Sequence, residues 1–214
     1  MKEVDINKSI ISPATRLRKI IDEAYSIFCQ QVVGGVIEID NEASMQLFLS
    51  NNLMQIGRLY EFATDERFII ILEATQKDLN TTKSPKNGRA DIWLKLIKGT
   101  VTLSEAAIEL KCLINRGNMA VTDVRYSVYK DLENLERYQS INDNQDLIIC
   151  EIVFTNYNEL TRDKKLKLNL GDNTTIRSYT EDDKVYHPII LNHEYPVNWD
   201  IYGDKQCFVK IYPK

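Results

Sequence analysis

The chain has 214 residues, a formal net charge of −4, 43% hydrophobic and 27% charged residues. That length suits one domain with a real core, or one core plus an elaboration, and the composition is that of an ordinary soluble globular protein rather than a disordered one. No apolar run approaches the ~20 residues that span a bilayer, and Met1–Asp5 lacks the basic-then-apolar order of a signal peptide.

Ser12-Pro13 reads as a helix N-cap with proline at the first helical position. Leu17, Ile20, Ile21, Ala24, Tyr25 and Phe28 follow at helical spacing, and Gly34-Gly35 ends the helix. A second helix starts at Asp40 or Asn41 and carries Leu47, Phe48, Leu53, Met54 and Ile56. Arg67–Ala74 is rich in β-branched residues and predicts a core strand. The polar stretch Lys77–Asn87, with Ser84-Pro85 and Asn87-Gly88 as turn signals, is a loop.

Two apolar strand-like runs come next, Gly88–Leu94 and Ala106–Cys112. Gly99 between them predicts a hairpin centred near Thr100. In that register residue numbers summing to 200 oppose each other, so Asp91 faces Glu109, Trp93 faces Ala107 and Arg89 faces Lys111. Alternation along the strand puts Glu109 and Lys111 on one face and Ile108, Leu110 and Cys112 on the other. Charges within apolar strands need partners, because desolvating a lone charge is costly. Two carboxylates with Cβ atoms about 5 Å apart repel unless something positive lies between them. A hard divalent cation such as magnesium suits their oxygens. A surface ion pair on a half-exposed strand is the structural alternative for Glu109 and Lys111.

Asn115–Asn118 forms a turn, and Thr122 or Asp123 caps a third helix with the stripe Val124, Val128, Leu132, Leu135 and Tyr138. Asp146–Phe154 is a further core strand. Thr155–Asp183 is polar and weakly patterned, with short strand candidates at Val185–Leu191 and Cys207–Tyr212. The fold class is therefore α/β: a central mixed sheet with helices on its faces, an extra N-terminal helix and an irregular β C-terminal elaboration. The chain reads as a single domain over residues 1–214, with a core over about 40–154 and the elaboration over 155–214.

Cys29, Cys112, Cys150 and Cys207 are scattered without a C-x-x-C pair, which favours reduced, buried thiols in a cytoplasmic protein. Neither histidine, His187 or His193, has zinc-site spacing. Between Lys77 and Lys98 six cations stand against two acids, a local basic segment suited to phosphate backbones despite the acidic total. Arg162–Lys167 is a second basic cluster, better read as a solvated face.

The succession of a strand, a strand bearing Asp91, a strand bearing Glu109-Leu110-Lys111, a helix and a strand resembles the PD-(D/E)xK nuclease superfamily, the restriction-endonuclease-like fold. The resemblance covers roughly Asp40–Phe154. It departs from the pattern at Ala90, where many members have proline, and in lacking a Q-x-x-x-Y after the lysine.

The resemblance implies hydrolysis of phosphodiester bonds in DNA or RNA, with Mg2+ as cofactor and Mn2+ as a substitute. Asp91, Glu109 and the Leu110 carbonyl would hold the metal, Glu42 would complete its coordination, and Lys111 would orient the attacking water. First-turn acids are also favoured by the helix dipole, which accounts for Glu42 without any metal. Lys83, Lys86, Arg89, Lys130 and Gln46 are the expected nucleic-acid contacts, and a homodimer would allow both strands to be cut. The alternative is a non-catalytic nucleic-acid-binding or interaction protein that keeps the fold.

Overall fold

The computed structural model describes residues 11–75, 89–114, 120–141, 146–162, 166–182, 184–203 and 206–214. Its core is a six-stranded mixed sheet flanked by three helices. The expected loop at 77–87 and turn at 115–118, with Lys83 and Lys86, lie outside the described residues.

Helix α1 spans Pro13–Val33, with Ser12 accepting the Thr15 N–H as its N-cap and Gly34 at its C-cap. Gly35, with φ at 70°, takes the left-handed conformation that turns the chain away. Helix α2 spans Glu42–Leu59. Asn41 and Ser44 form a reciprocal cap: each side chain bonds the other residue's main-chain N–H, at 2.9 and 3.1 Å. The cap fixes where the helix starts and thereby places Glu42 in its first turn. The buried stripe of α2 is Met45, Leu49 and Leu53, whereas the expected Leu47 faces solvent.

Strands β1 (Glu66–Ala74), β2 (Ala90–Lys98) and β3 (Val101–Leu113) form an antiparallel meander. Gly99, with φ at 56°, opens the tight β2–β3 turn. Beside the turn the register is Lys98 with Val101 and Ile97 with Thr102. An irregularity after Leu96 then shifts it, so that Leu96 pairs Ser104, Trp93 pairs Ala107 and Ile92 pairs Ile108. The expected register holds beyond this bulge and fails between it and the turn. The inserted residue gives β3 one extra position there.

Helix α3 spans Val121–Ile141 and is the crossover that lets β4 (Ile148–Thr155) lie parallel to β3. It begins before the expected caps, so Thr122 and Asp123 sit inside its first turn. Strand β4 starts two residues later than the expected Asp146. The short strands β5 (Thr174–Ile176) and β6 (Tyr195–Val197) pair separately, and β7 (Asp200–Tyr202) pairs with β8 (Gln206–Ile211). No strand forms over Val185–Leu191. A single bridge from Ile189 to Tyr179 is the only ladder contact described there, because that segment lacks the alternation that sustains a ladder. The sheet order is β1-β2-β3-β4-β8-β7, so the C-terminal segment contributes strands to the central sheet.

The two sheet faces bury different cores. Leu17, Phe28, Leu49, Ile92, Ile108, Leu110 and Ile152 pack under α1 and α2. Trp93, Ala107, Val128, Leu132, Leu135 and Val153 pack under α3 and the C-terminal segment. All four cysteines are free thiols, three buried and Cys112 only partly so. None of the helices described is long and apolar enough to cross a membrane.

Candidate functional site

The β2–β3 ladder ends at Ile92–Ile108, although both strands continue. One step further, side chains take over. The Leu110 N–H donates to Asp91 Oδ2 at 2.7 Å. Continuing the Ile92–Ile108 register by one residue puts Asp91 across from Glu109, and the Asp91 carboxylate acts on the Glu109 carboxyl by charge repulsion. The expected meeting of the two acids on one face is realised where the strands stop pairing.

Alternation along β3 separates the faces as expected. Ile108 and Leu110 enter the α1–α2 core. Glu109, only 6% exposed, and Lys111 turn toward α3. Tyr138 of α3 donates a long 3.5 Å hydrogen bond to Glu109 Oε1 and packs edge-on against Trp93. Asp131, seven residues earlier on α3, places Oδ2 2.7 Å from the Lys111 ammonium. Glu42 approaches the same ammonium from the start of α2 at 3.7 Å.

A further acid completes the cluster. Glu151 of β4 is the direct neighbour of Glu109 in the parallel pairing. It is wholly buried, and neither carboxylate oxygen has a hydrogen-bond partner. The sequence carried a signal for it, since Glu151 interrupts the apolar run Ile148–Phe154 as Glu109 interrupts Ala106–Cys112. Asp131 carried no such signal, because an acid on a helix is ordinary.

The electrostatics follow from one ammonium among several buried acids. Burial pushes the Asp91 carboxyl up to about 6, against the pull of the Leu110 N–H and with help from Glu42. Burial first, then the Asp91 and Asp131 carboxylates, hold Glu109 well above the usual carboxylate range. Burial does the same to Glu151, reinforced by Asp131. For Lys111 burial acts downward, but Asp131, Glu42 and Glu151 outweigh it and raise the amine above the ordinary lysine value. Lys111 is therefore held as an ammonium, while the charged forms of Glu109 and Glu151 are disfavoured.

The remaining expected residues occupy other positions. Gln46 donates from Nε2 to the Asp91 main-chain carbonyl at 2.8 Å and to Glu73 at 3.1 Å, pinning α2 to the start of β2. Glu73, with φ at 49°, is in the left-handed region that a β strand rarely uses, beside this clamp. Arg89 is exposed immediately before β2. Lys130 is paired with Glu133 at 2.5 Å on a flank of α3.

Among the described residues no three Asp, Glu, His or Cys side chains converge as a ready-made metal-binding group. The donor chemistry that does suit a hard cation is the facing Asp91–Glu109 pair. Comparison with known proteins finds no matching family model, no similar curated protein and no similar solved structure.

Proposed function

We propose that this protein is a metal-dependent nuclease of the PD-(D/E)xK type, hydrolysing phosphodiester bonds of DNA or RNA. The observation that carries the reading is the meeting of Asp91 and Glu109 at the end of the β2–β3 ladder, with the Lys111 ammonium beside them. Asp91, Glu109 and the Leu110 carbonyl would hold Mg2+ or Mn2+, with Glu42 nearby. A divalent ion there supplies neutralisation of a phosphate oxygen and a bound water of lowered pKa. Lys111, held as an ammonium, faces the charge that develops on phosphorus and orients the attacking water. Arg89 is an exposed cation available to the nucleic-acid backbone.

The test is incubation of the purified chain with supercoiled plasmid, single-stranded DNA and RNA, each with magnesium or manganese. Cleavage by the wild type that disappears in both Asp91→Ala and Lys111→Ala supports the reading. Equal cleavage by both variants sinks it.

One observation favours a second reading, a binding or interaction protein that does not cut. The Lys111 ammonium is already neutralised by Asp131 and Glu42, as in a structural ion network. Tight nucleic-acid binding without metal-dependent cleavage would select that alternative.

A further inference from the structure

We propose that Asp131 of α3 is a positioning residue for Lys111, fixing its ammonium at the Glu109 end of β3. What that ammonium then does to a phosphate rests on the nuclease reading; its placement does not.

Three observations point to Asp131 rather than Glu42 as the anchor. Asp131 lies 2.7 Å from the ammonium, against 3.7 Å for Glu42. The Asp131 side chain is 16% exposed and that of Glu42 46%. Solvent screens the longer, wetter pair far more. The third is rigidity. Val128, Leu132 and Leu135 hold α3 in the core around Asp131. Tyr138, two turns along, reaches Glu109. A single helix face thus addresses both charged members of the Glu109-Leu110-Lys111 triplet.

The flanking charges on α3 form a separate group. Glu133 is satisfied by Lys130 at 2.5 Å and Arg137 at 3.0 Å, so neither cation competes for Asp131. A lysine has four rotatable bonds in its stem, and its ammonium wanders unless held. Holding it within a few tenths of an ångström of the working position is the contribution expected of such a neighbour.

The test uses the full chain labelled with 15N at lysine. A protected Lys111 ammonium resonance, assigned by its loss in Lys111→Arg, is expected in the wild type. It should vanish in Asp131→Asn, return in Asp131→Glu, and persist in Glu42→Gln, with amide spectra verifying the native fold. In plasmid nicking with magnesium, Asp131→Asn should lower kcat by about tenfold to a hundredfold. KM should stay nearly unchanged, and Asp131→Glu should recover the rate. A resonance that survives Asp131→Asn, or that depends on Glu42 instead, overturns the proposal. Loss of the resonance in Asp131→Asn from a wild type that nicks nothing upholds the positioning and counts against the nuclease reading alone.

Discussion

The Leu110 main-chain N–H is bound by the Asp91 carboxylate at 2.7 Å, so one side chain both closes the β2–β3 ladder and belongs to the candidate site. Its two roles separate by substitution. Asp91→Ala leaves a buried N–H without an acceptor, a loss of about 1–3 kcal/mol, and removes a candidate metal ligand. Asp91→Asn keeps one acceptor oxygen for that N–H, and exchanges the other oxygen and the charge for an amide NH2. The expected outcome is a lower melting temperature for Asp91→Ala, a melting temperature near or above wild type for Asp91→Asn, and no metal-dependent cleavage by either. Calorimetry and plasmid nicking read the two effects independently.

Glu151 makes a contrasting prediction, because its buried oxygens have no partner. A carboxyl whose folded pKa lies above its unfolded value stabilises the fold below the unfolded pKa, and that stability is lost as pH rises above it. Glu151→Met removes the group. At pH 8 without metal, the variant should be more stable than wild type by about 1 kcal/mol or more. The gain should shrink toward pH 4. Urea unfolding at several pH values measures it, and a Glu151→Met protein that is less stable at pH 8 would contradict the electrostatic account.

The sequence made Asp91, Glu109 and Lys111 legible because each interrupts an apolar strand and Gly99 makes their hairpin local. A short loop fixes the register almost by itself, and only the bulge after Leu96 escaped that logic. Glu151 was written in the same way, but its strand returns through a helix, and parallel pairing cannot be read from spacing. Asp131 depends on how α3 lies over β3, a tertiary fact with no local signature. The C-terminal strands were hard to see for a different reason. Three-residue strands such as Thr174–Ile176 and Tyr195–Val197 are too short to show alternation. The membership of β8 in the main sheet is set by a long-range partner, β4.

Gly57 tests how tightly α2 sits on β1. A Cβ built there would lie 2.0 Å from the Phe68 ring, which is itself buried. Replacing a helical glycine with alanine ordinarily gains about 1 kcal/mol. Overpacking against a buried ring costs about 1–3 kcal/mol, so the overlap should win. Gly57→Ala should therefore lower the unfolding midpoint. Because α2 carries Glu42 and Gln46, the same change should also weaken any metal-induced rise in melting temperature. A Gly57→Ala protein more stable than wild type would show that α2 can lift from the sheet without cost.

Cation binding at the Asp91–Glu109 pair must compete with protons. Asp91 titrates near 6 and Glu109 holds its proton above the usual carboxylate range, so a divalent ion has to displace at least one proton. Its affinity should therefore rise with pH through 6 and be weak at pH 5. Metal that binds only the folded chain raises the melting temperature by mass action. Titration with magnesium or manganese, followed by thermal melting, should show a small shift at pH 5 and a larger one at pH 7.5. Glu109→Gln should abolish the shift at both, since the amide cannot supply the anionic oxygen. A shift independent of pH, or one that survives Glu109→Gln, would place the cation elsewhere on the molecule. No shift at millimolar metal would favour the non-cutting reading, in which Asp91 serves to close the end of the ladder through the Leu110 N–H.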